Sequence, residues 1–209
     1  MMKLYDISTP ISQEMVVYKN KDEKKPHIQT LSSHEEGKMH ETRVALDLHT
    51  GTHMDFPLHA LAKGKVSHQY PIEQFMGKAL VVDCTLCKEA IHYDDVAHLP
   101  IKDYDFILFK TQVSPLTSFD FEFIYLAEDA AIHLAQFPLK GVGIDALGIE
   151  RNQPHHESHR QLLGSDILIY EGLALSEIKP GPYTFMGFPL AIQNVEASLV
   201  RALLMDINL

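Results

Sequence analysis

Tryptophan is absent from the 209 residues, and cysteine occurs only twice, as Cys84 and Cys87 in the run CTLC. Two cysteines close no disulfide framework, and without a second pair they supply at most half of a thiolate zinc site. The run follows an apolar stretch that reads as a strand, whereas a thioredoxin-like CxxC opens a helix, so the pair is read as small, partly buried packing. Basic charge is also scarce. Eighteen Lys and Arg stand against 28 Asp and Glu, a formal charge of −10. That balance argues against nucleic acid or an anionic membrane surface as partner. No apolar run approaches the ~20 residues of a membrane span. The opening MMKLYDISTPIS lacks the basic start and apolar core of a signal peptide, so a cytoplasmic protein is expected. HExxH is missing too: Glu157 follows His156, but position 160 is Arg, which excludes a zincin helix.

The remaining composition is that of an ordinary globular chain, 45% apolar and 22% charged. The length predicts one domain over residues 1–209 with ample core. Apolar runs with β-branched residues predict strands at KLYDIS, TRVALDL, KALVVDC, DFILFK, KGVGID, DILIYE and SLVRALLM. The clearest helix is 126–137, where Ala127, Ala130, Ala131, Leu134 and Ala135 make one apolar face ending before Pro138. Shorter helices are predicted at DDVAHL, opened by Asp94, and at 154–163, closed by Gly164. The lysine-rich 19–26 reads as a solvated loop. The fold class expected is α/β, a single strand-rich domain.

What the chain has in excess is histidine, 13 residues, grouped at 49–59 and 155–159. The stretch HTGTHMDFPLH sets His49, His53, Asp55 and His59 at odd positions, which share one face of an extended chain. A helix would align only His49 and His53, and Gly51 and Pro57 oppose a helix there. The segment is therefore read as a strand ending near Leu48 that runs into an ordered loop, bent at Gly51 and stiffened at Pro57. A lone histidine is usually just hydrogen-bonded, but three with an aspartate in register repel once protonated and are costly to bury. A divalent cation compensates them. Such a site needs further ligands, and residues 155–173 are the best source: His155 and His159 lie at i,i+4, and Glu171 stands at the C-terminal end of the strand DILIY. Asp145 ends GVGID, where it either caps the next turn, the preferred reading, or orients a ligand.

With these residues in view, the sequence resembles the cyclase-like metal hydrolases that include bacterial kynurenine formamidase and isatin hydrolase. The motif HxGTHxDxPxH is matched without gaps from His49 to His59, and a histidine followed twelve residues later by a strand-end glutamate is matched by His159 and Glu171. LYDISTPI, GVGIDALGIE and FMGFPLAIQNVEASLVRALLM resemble the family's opening, central and closing segments, in order. The resemblance implies a swivelling β/β/α domain, assembled as a homodimer or homotetramer. It implies that His49, His53 and Asp55 bind one metal and that Asp55 bridges to a second held by His159 and Glu171. It gives His59 the role of catalytic acid/base, and leaves His155 and His156 without a ligand role.

Histidines and carboxylates without thiolate suit Zn²⁺ or Mn²⁺. Such an ion lowers the pKa of bound water to roughly 7. The implied activity is hydrolysis of an amide or formamide C–N bond in a small molecule, N-formylkynurenine or a relative. The family's aromatic–Pro-Gly-Asp turn is not matched: the region reads VVYKNKDEKKP, with Tyr18 in the aromatic position. Tyr18 is a candidate to stack on an aryl substrate, or else an ordinary loop tyrosine. Three alternatives stay open: a hydrolase of a cyclic amide, a metal-dependent cyclase or dehydratase, and a metal-binding protein without turnover. The presence of His59 favours an enzyme.

Overall fold

The computed structural model of the chain describes residues 3–111 and 118–206. Twelve strands occur among them: β1 (Leu4–Asp6), β2 (His27–Ser32), β3 (Glu41–Ala45), β4 (His53–Asp55), β5 (Met76–Asp83), β6 (Ala90–Ile91), β7 (Phe106–Lys110), β8 (Tyr125–Leu126), β9 (Gly141–Ile144), β10 (Leu168–Glu171), β11 (Gly181–Pro189) and β12 (Ala197–Asp206). The α-helices are α1 (Tyr93–Val96), α2 (Glu128–Leu134) and α3 (Glu157–Gly164). Eight strands form one sheet in the order β1-β12-β11-β5-β7-β9-β10-β4. Because β4 also pairs with β12, the sheet closes into a barrel, with β1 added along the far end of β12. Neighbours β5, β7, β9 and β10 run parallel, while β4, β11 and β12 pair antiparallel.

Strand periodicity divides the core in two. Phe106 and Leu108 of β7, Leu168 and Tyr170 of β10, Met54 of β4 and Phe185 of β11 meet inside the barrel. The alternate residues Ile107, Phe109, Val142, Ile144 and Ile169 point outward beneath the helical layer, against Ala130, Ala131 and Leu134 of α2 and Leu162 and Leu163 of α3. A strand buried on both faces reads as an unbroken apolar run, as FILF does. His53, Asp55 and Glu171 lie on the outward parity, with Met54 and Tyr170 turned the other way.

The strand-rich α/β expectation holds, with differences in detail. TRVALDL does not enter the barrel. Its strand is β3, which stops at Ala45 and pairs only with β2 in an exposed hairpin. The extended residues that count are instead His53–Asp55, a strand of three, so the motif is a strand flanked by loops rather than a loop after a strand. β2, β11 and the two-residue strands β6 and β8 were not expected. β11 holds Gly181, Pro182, Gly187 and Pro189, which read as turn signals in sequence. A side chain at Gly187 would run into the rings of Phe185 and Tyr170, so the missing Cβ is a packing requirement. Helix α2 is shorter than the expected 126–137 at both ends: Leu126 is taken by β8, Ala127 becomes the N-cap and Ala135 the C-cap. Gly164 is the last helical residue, followed by Ser165. The 19–26 stretch contributes two exposed 3₁₀ turns. Cys84 is buried and Cys87 partly so, both free.

No helix among the described residues is long and apolar enough to cross a membrane. Gly172, directly after Glu171, has φ +66°, and a Cβ there would run into the Gly51 carbonyl. Gly172→Ala should therefore cost about 2–3 kcal/mol, lowering Tm by roughly 4–12 °C in a chain of this size. Gly164 has open space where its Cβ would sit. Gly164→Ala should stabilise by about 0.4–1 kcal/mol. Paired thermal melts of the two variants check the contrast; equal shifts would refute it.

Candidate metal centre

The register of β4 against β10 builds the centre. Antiparallel pairing sets Glu171 opposite His53 and Ile169 opposite Asp55. On the other edge, β12 sets Leu199 opposite His53 and Ala197 opposite Asp55. Three residues of strand thus carry two donors on one face, held from both sides. The loop before β4 is fixed by small residues. Thr52 donates its hydroxyl to the Gly172 carbonyl (2.6 Å) and accepts the Thr9 N–H (2.7 Å), and Thr9 donates its own hydroxyl to the same carbonyl (2.8 Å). Gly51 turns at φ +59°, and its carbonyl lies 3.0 Å from His53 Nδ1. A carbonyl only accepts, so Nδ1 carries the proton and Nε2 is left free to face the centre.

Six of the residues singled out in sequence, His49, His53, Asp55, His59, His159 and Glu171, converge here. His53 Nε2 is 3.3 Å from Glu171 Oε2 and 3.7 Å from Asp55 Oδ1. His49 Nδ1 approaches Asp55 Oδ1 at 3.0 Å. His159, from the first turn of α3, sets Nε2 3.7 Å from Asp55 Oδ2 and 3.5 Å from Glu171 Oε1. His59 ends the 3₁₀ turn Pro57–His59 at the exposed rim, its ring 4.3 Å from that of His49 and 5.4 Å from that of His159. Donor atoms of His53, Asp55 and Glu171 lie within 4.8 Å of one another, as do those of His49, Asp55 and His59. The second group means that His59 is placed to reach an ion.

Asp55 is fully buried and Glu171 is 5% exposed. Yet His53 Nε2 and both oxygens of Asp55 have no aligned hydrogen-bond partner, although imidazoles stand within ion-pair distance. Three buried polar atoms left open toward one point are costly unless a cation satisfies them. The residues present therefore fit a divalent metal ion.

Burial pulls the His53 imidazole down, but the nearby carboxylate of Glu171 and the charge of Asp55 outweigh it and push it up to about 9. At His159 burial is likewise outweighed by Glu150, Glu171 and Asp55, and the ring is pushed up to about 10. Burial would raise both carboxylates, but the imidazoles around Asp55 and Glu171 hold them below their ordinary range. At His59, desolvation of the ring among its neighbours lowers the imidazole below its usual value although the residue is exposed, helped by His49 and His159 and opposed by Asp55 and Glu171.

Tyr18 lies beside the centre. Its ring lines a small cleft with Lys24, His49, Gly51 and His53, sits edge-on to Phe119 at 4.9 Å, and its hydroxyl donates to the Arg151 carbonyl. His155 is exposed and precedes α3, so the i,i+4 pairing with His159 on one helix does not form. His156 is an exposed N-cap in left-handed conformation. Asp145 neither caps the next turn nor reaches a ligand. Its carboxylate accepts the N–H (2.9 Å) and hydroxyl (2.6 Å) of Thr111, tying the ends of β7 and β9, and burial pushes its pKa up to about 6. Two acidic residues were missed in sequence. Glu150 contacts His159 Nδ1, and Glu196 sets Oε1 3.4 Å from His49 Nε2. Neither has a periodic or motif spacing to the histidine it serves, so no sequence signal marks it.

A family model described as Putative cyclase matches residues 5–151. The chain is 30% identical over 208 residues to a kynurenine formamidase of Salinibacter ruber, covering 98% of each protein. It is similar to a solved structure described as a potential metal-dependent hydrolase with cyclase activity, with TM-score 0.90, 43% identity, and 99% and 98% of the two chains covered. Isatin hydrolase A from Labrenzia aggregata shares the fold, with TM-score 0.79, 18% identity, and 98% and 93% coverage.

Since His53 and His159 hold protons at neutral pH that a ligated imidazole must lose, ion binding should release protons. Affinity for Zn²⁺ or Mn²⁺ should rise with pH, by about tenfold per unit for each proton released. Calorimetric titrations in two buffers of different ionisation enthalpy count those protons; a pH-independent affinity would show that these imidazoles do not ligate.

Proposed function

This chain belongs to the Putative cyclase family, and from that premise we propose that it is a metal-dependent hydrolase cleaving an amide C–N bond, with an aryl formamide such as N-formylkynurenine as the leading substrate class. The observation that carries the reading is the buried, unpartnered set His53 Nε2 and Asp55 Oδ1 and Oδ2, facing Glu171 and His159 with His59 at the open rim. His49, His53 and Asp55 would hold one ion, and Asp55, His159 and Glu171 a second. Zn²⁺ and Mn²⁺ both suit these donors. When bound, such an ion polarises a carbonyl and acidifies water.

The protein's own residues do the rest. Asp55 and Glu171 fix the donor geometry from a strand pair that closure of the barrel keeps rigid. His59 is the one imidazole of the group both at the rim and lowered in pKa, so it is neutral and ready to accept a proton at neutral pH. As water adds to the carbonyl carbon, His59 takes the proton. As the C–N bond breaks, it returns that proton to the leaving nitrogen, and a formamide yields formate and the amine. Tyr18 supplies an aromatic edge beside His49 and His53, and its tethered hydroxyl keeps the ring from swinging into the cleft.

A second substrate reading, a cyclic amide of the isatin type, is favoured by one feature. Tyr18 is followed by Lys19 and Asn20 in left-handed backbone rather than by the Pro-Gly-Asp turn of kynurenine formamidases. Ring opening would use the same residues and return the His59 proton to the ring nitrogen.

Formate release from N-formylkynurenine, with and without chelator, tests the first reading. Metal bound with chelator-sensitive release supports it, and metal bound without release moves the search to cyclic amides. His59→Ala should keep the metal and lose ~10²–10⁴-fold in turnover. Loss of the metal in that variant would make His59 a ligand and overturn its assigned role.

A further inference from the structure

Glu150 is 4% exposed and has no part in the chemistry above. Its carboxylate reaches α3 at three points. Oε1 accepts the Ser158 N–H (2.8 Å), Oε2 accepts the His159 N–H (3.3 Å), and Oε2 also contacts His159 Nδ1. Ser158 and His159 are the second and third residues of α3, whose N–H groups lack partners within a helix. The structural N-cap, His156, provides no side-chain cap, so Glu150 supplies from a neighbouring loop what a capping residue normally would. The same carboxylate occupies the far side of the imidazole whose Nε2 faces Asp55 and Glu171.

We propose that Glu150 is a positioning residue of the metal centre: by capping α3 and accepting a hydrogen bond from His159 Nδ1 together, it commits His159 Nε2 to the point between Asp55 and Glu171. The proposal rests on the metal-centre reading given above. A carboxylate behind a ligating histidine fixes both its tautomer and its ring plane, and raises the basicity of the ligating nitrogen. Here the two jobs are joined, because the helix turn that carries His159 and the ring itself are anchored to one group. His53 is oriented by a backbone carbonyl, that of Gly51, so the two buried histidines are set by different devices. Donor atoms of Glu150, His156 and His159 also lie within 4.8 Å of one another. Both Glu150 oxygens already accept backbone N–H groups, however, and His156 Nδ1 is exposed and 4.0 Å away, which favours an orienting role over a third ion site.

The test compares metal-free wild type with Glu150→Gln and His159→Gln. Nitrogen-15 NMR of the imidazoles reads the His159 Nδ1 proton, assigned by its loss in His159→Gln, and Zn²⁺ titration reads the His159-dependent affinity. Glu150→Gln should lose or shift the Nδ1 signal and weaken that affinity by ~10–100-fold, while binding that survives in His159→Gln stays unchanged. An unaltered signal with affinity changed less than about twofold would leave Glu150 as a helix cap only. A zinc equivalent lost in His156→Ala would make Glu150 a ligand and also overturn the proposal. Should Glu150→Gln not fold, Glu150→Asp keeps a charged capping oxygen but is too short to span the cap and the ring, and carries the same expectation. The NMR readout uses metal-free protein and no substrate. It therefore decides the contact even if the wild type cleaves no amide, a result that would sink the hydrolase reading alone.

Discussion

The structure turns on two carboxylates, Asp55 and Glu171, buried side by side on the outer wall of a closed sheet. Like charges so close and so dry repel, and each loses hydration that only a counter-charge restores. Every neighbouring feature answers that cost. His53 is set opposite Glu171 by strand register, His159 is brought over the pair by α3, and His49 closes the exposed side. Barrel closure matters for the same reason. β4 is only three residues long and would fray at an edge, but pairing with β10 and β12 together removes the edge and holds both its donors.

This arrangement explains why the centre was easier to read from the chain than the fold around it. His53 and Asp55 obey the two-residue period of a strand, and that strand is real. His49 and His59 also sit at odd positions but reach the centre from a loop and a 3₁₀ turn, so their convergence reflects the bends at Gly51 and Pro57 rather than a shared pleat. Glu171 stood out as a carboxylate after an apolar strand, but that position alone left it open to pairing, metal binding or the surface; register sets it opposite His53. The outer strands obeyed weaker rules. TRVALDL has strand composition, but β-propensity says nothing about which sheet a strand joins, and β3 pairs only with β2. β11 hid behind its glycines and prolines because its demand at Gly187 is set by the rings of Phe185 and Tyr170, supplied from within its own strand and from another part of the chain.

Glu150 was illegible for a related reason. Its partners are two backbone N–H groups and a ring nitrogen, eight and nine residues on, across a segment with no regular period. Only the folded position of α3 brings them together. Asp145 shows the converse: a strand-end acid that looked poised for a turn instead ties β7 to β9 through Thr111.

Glu150 is also the middle of three consecutive residues that each hold a different part of the centre. The Ile149 N–H donates to Glu171 Oε1 at 2.6 Å, Glu150 grips α3 and His159, and the Arg151 carbonyl accepts the Tyr18 hydroxyl. The Glu171 carboxylate, the His159 imidazole and the aromatic wall of the cleft are therefore referred to one short stretch of backbone. That stretch is itself pinned. The Leu126 N–H donates to the Ile149 carbonyl (2.9 Å), and the Arg151 guanidinium donates to the carbonyls of Phe123 and Glu122 and lies over the rings of Phe123 and Tyr125. An error in the placement of residues 149–151 would move all three components together, which preserves their mutual geometry better than three independent supports would. The Tyr18 ring and the Glu171 carboxylate are then coupled mechanically, because they share one anchor. The aromatic wall cannot move alone: a shift of Tyr18 must either break its hydrogen bond to Arg151 or carry the backbone beside Glu150 with it.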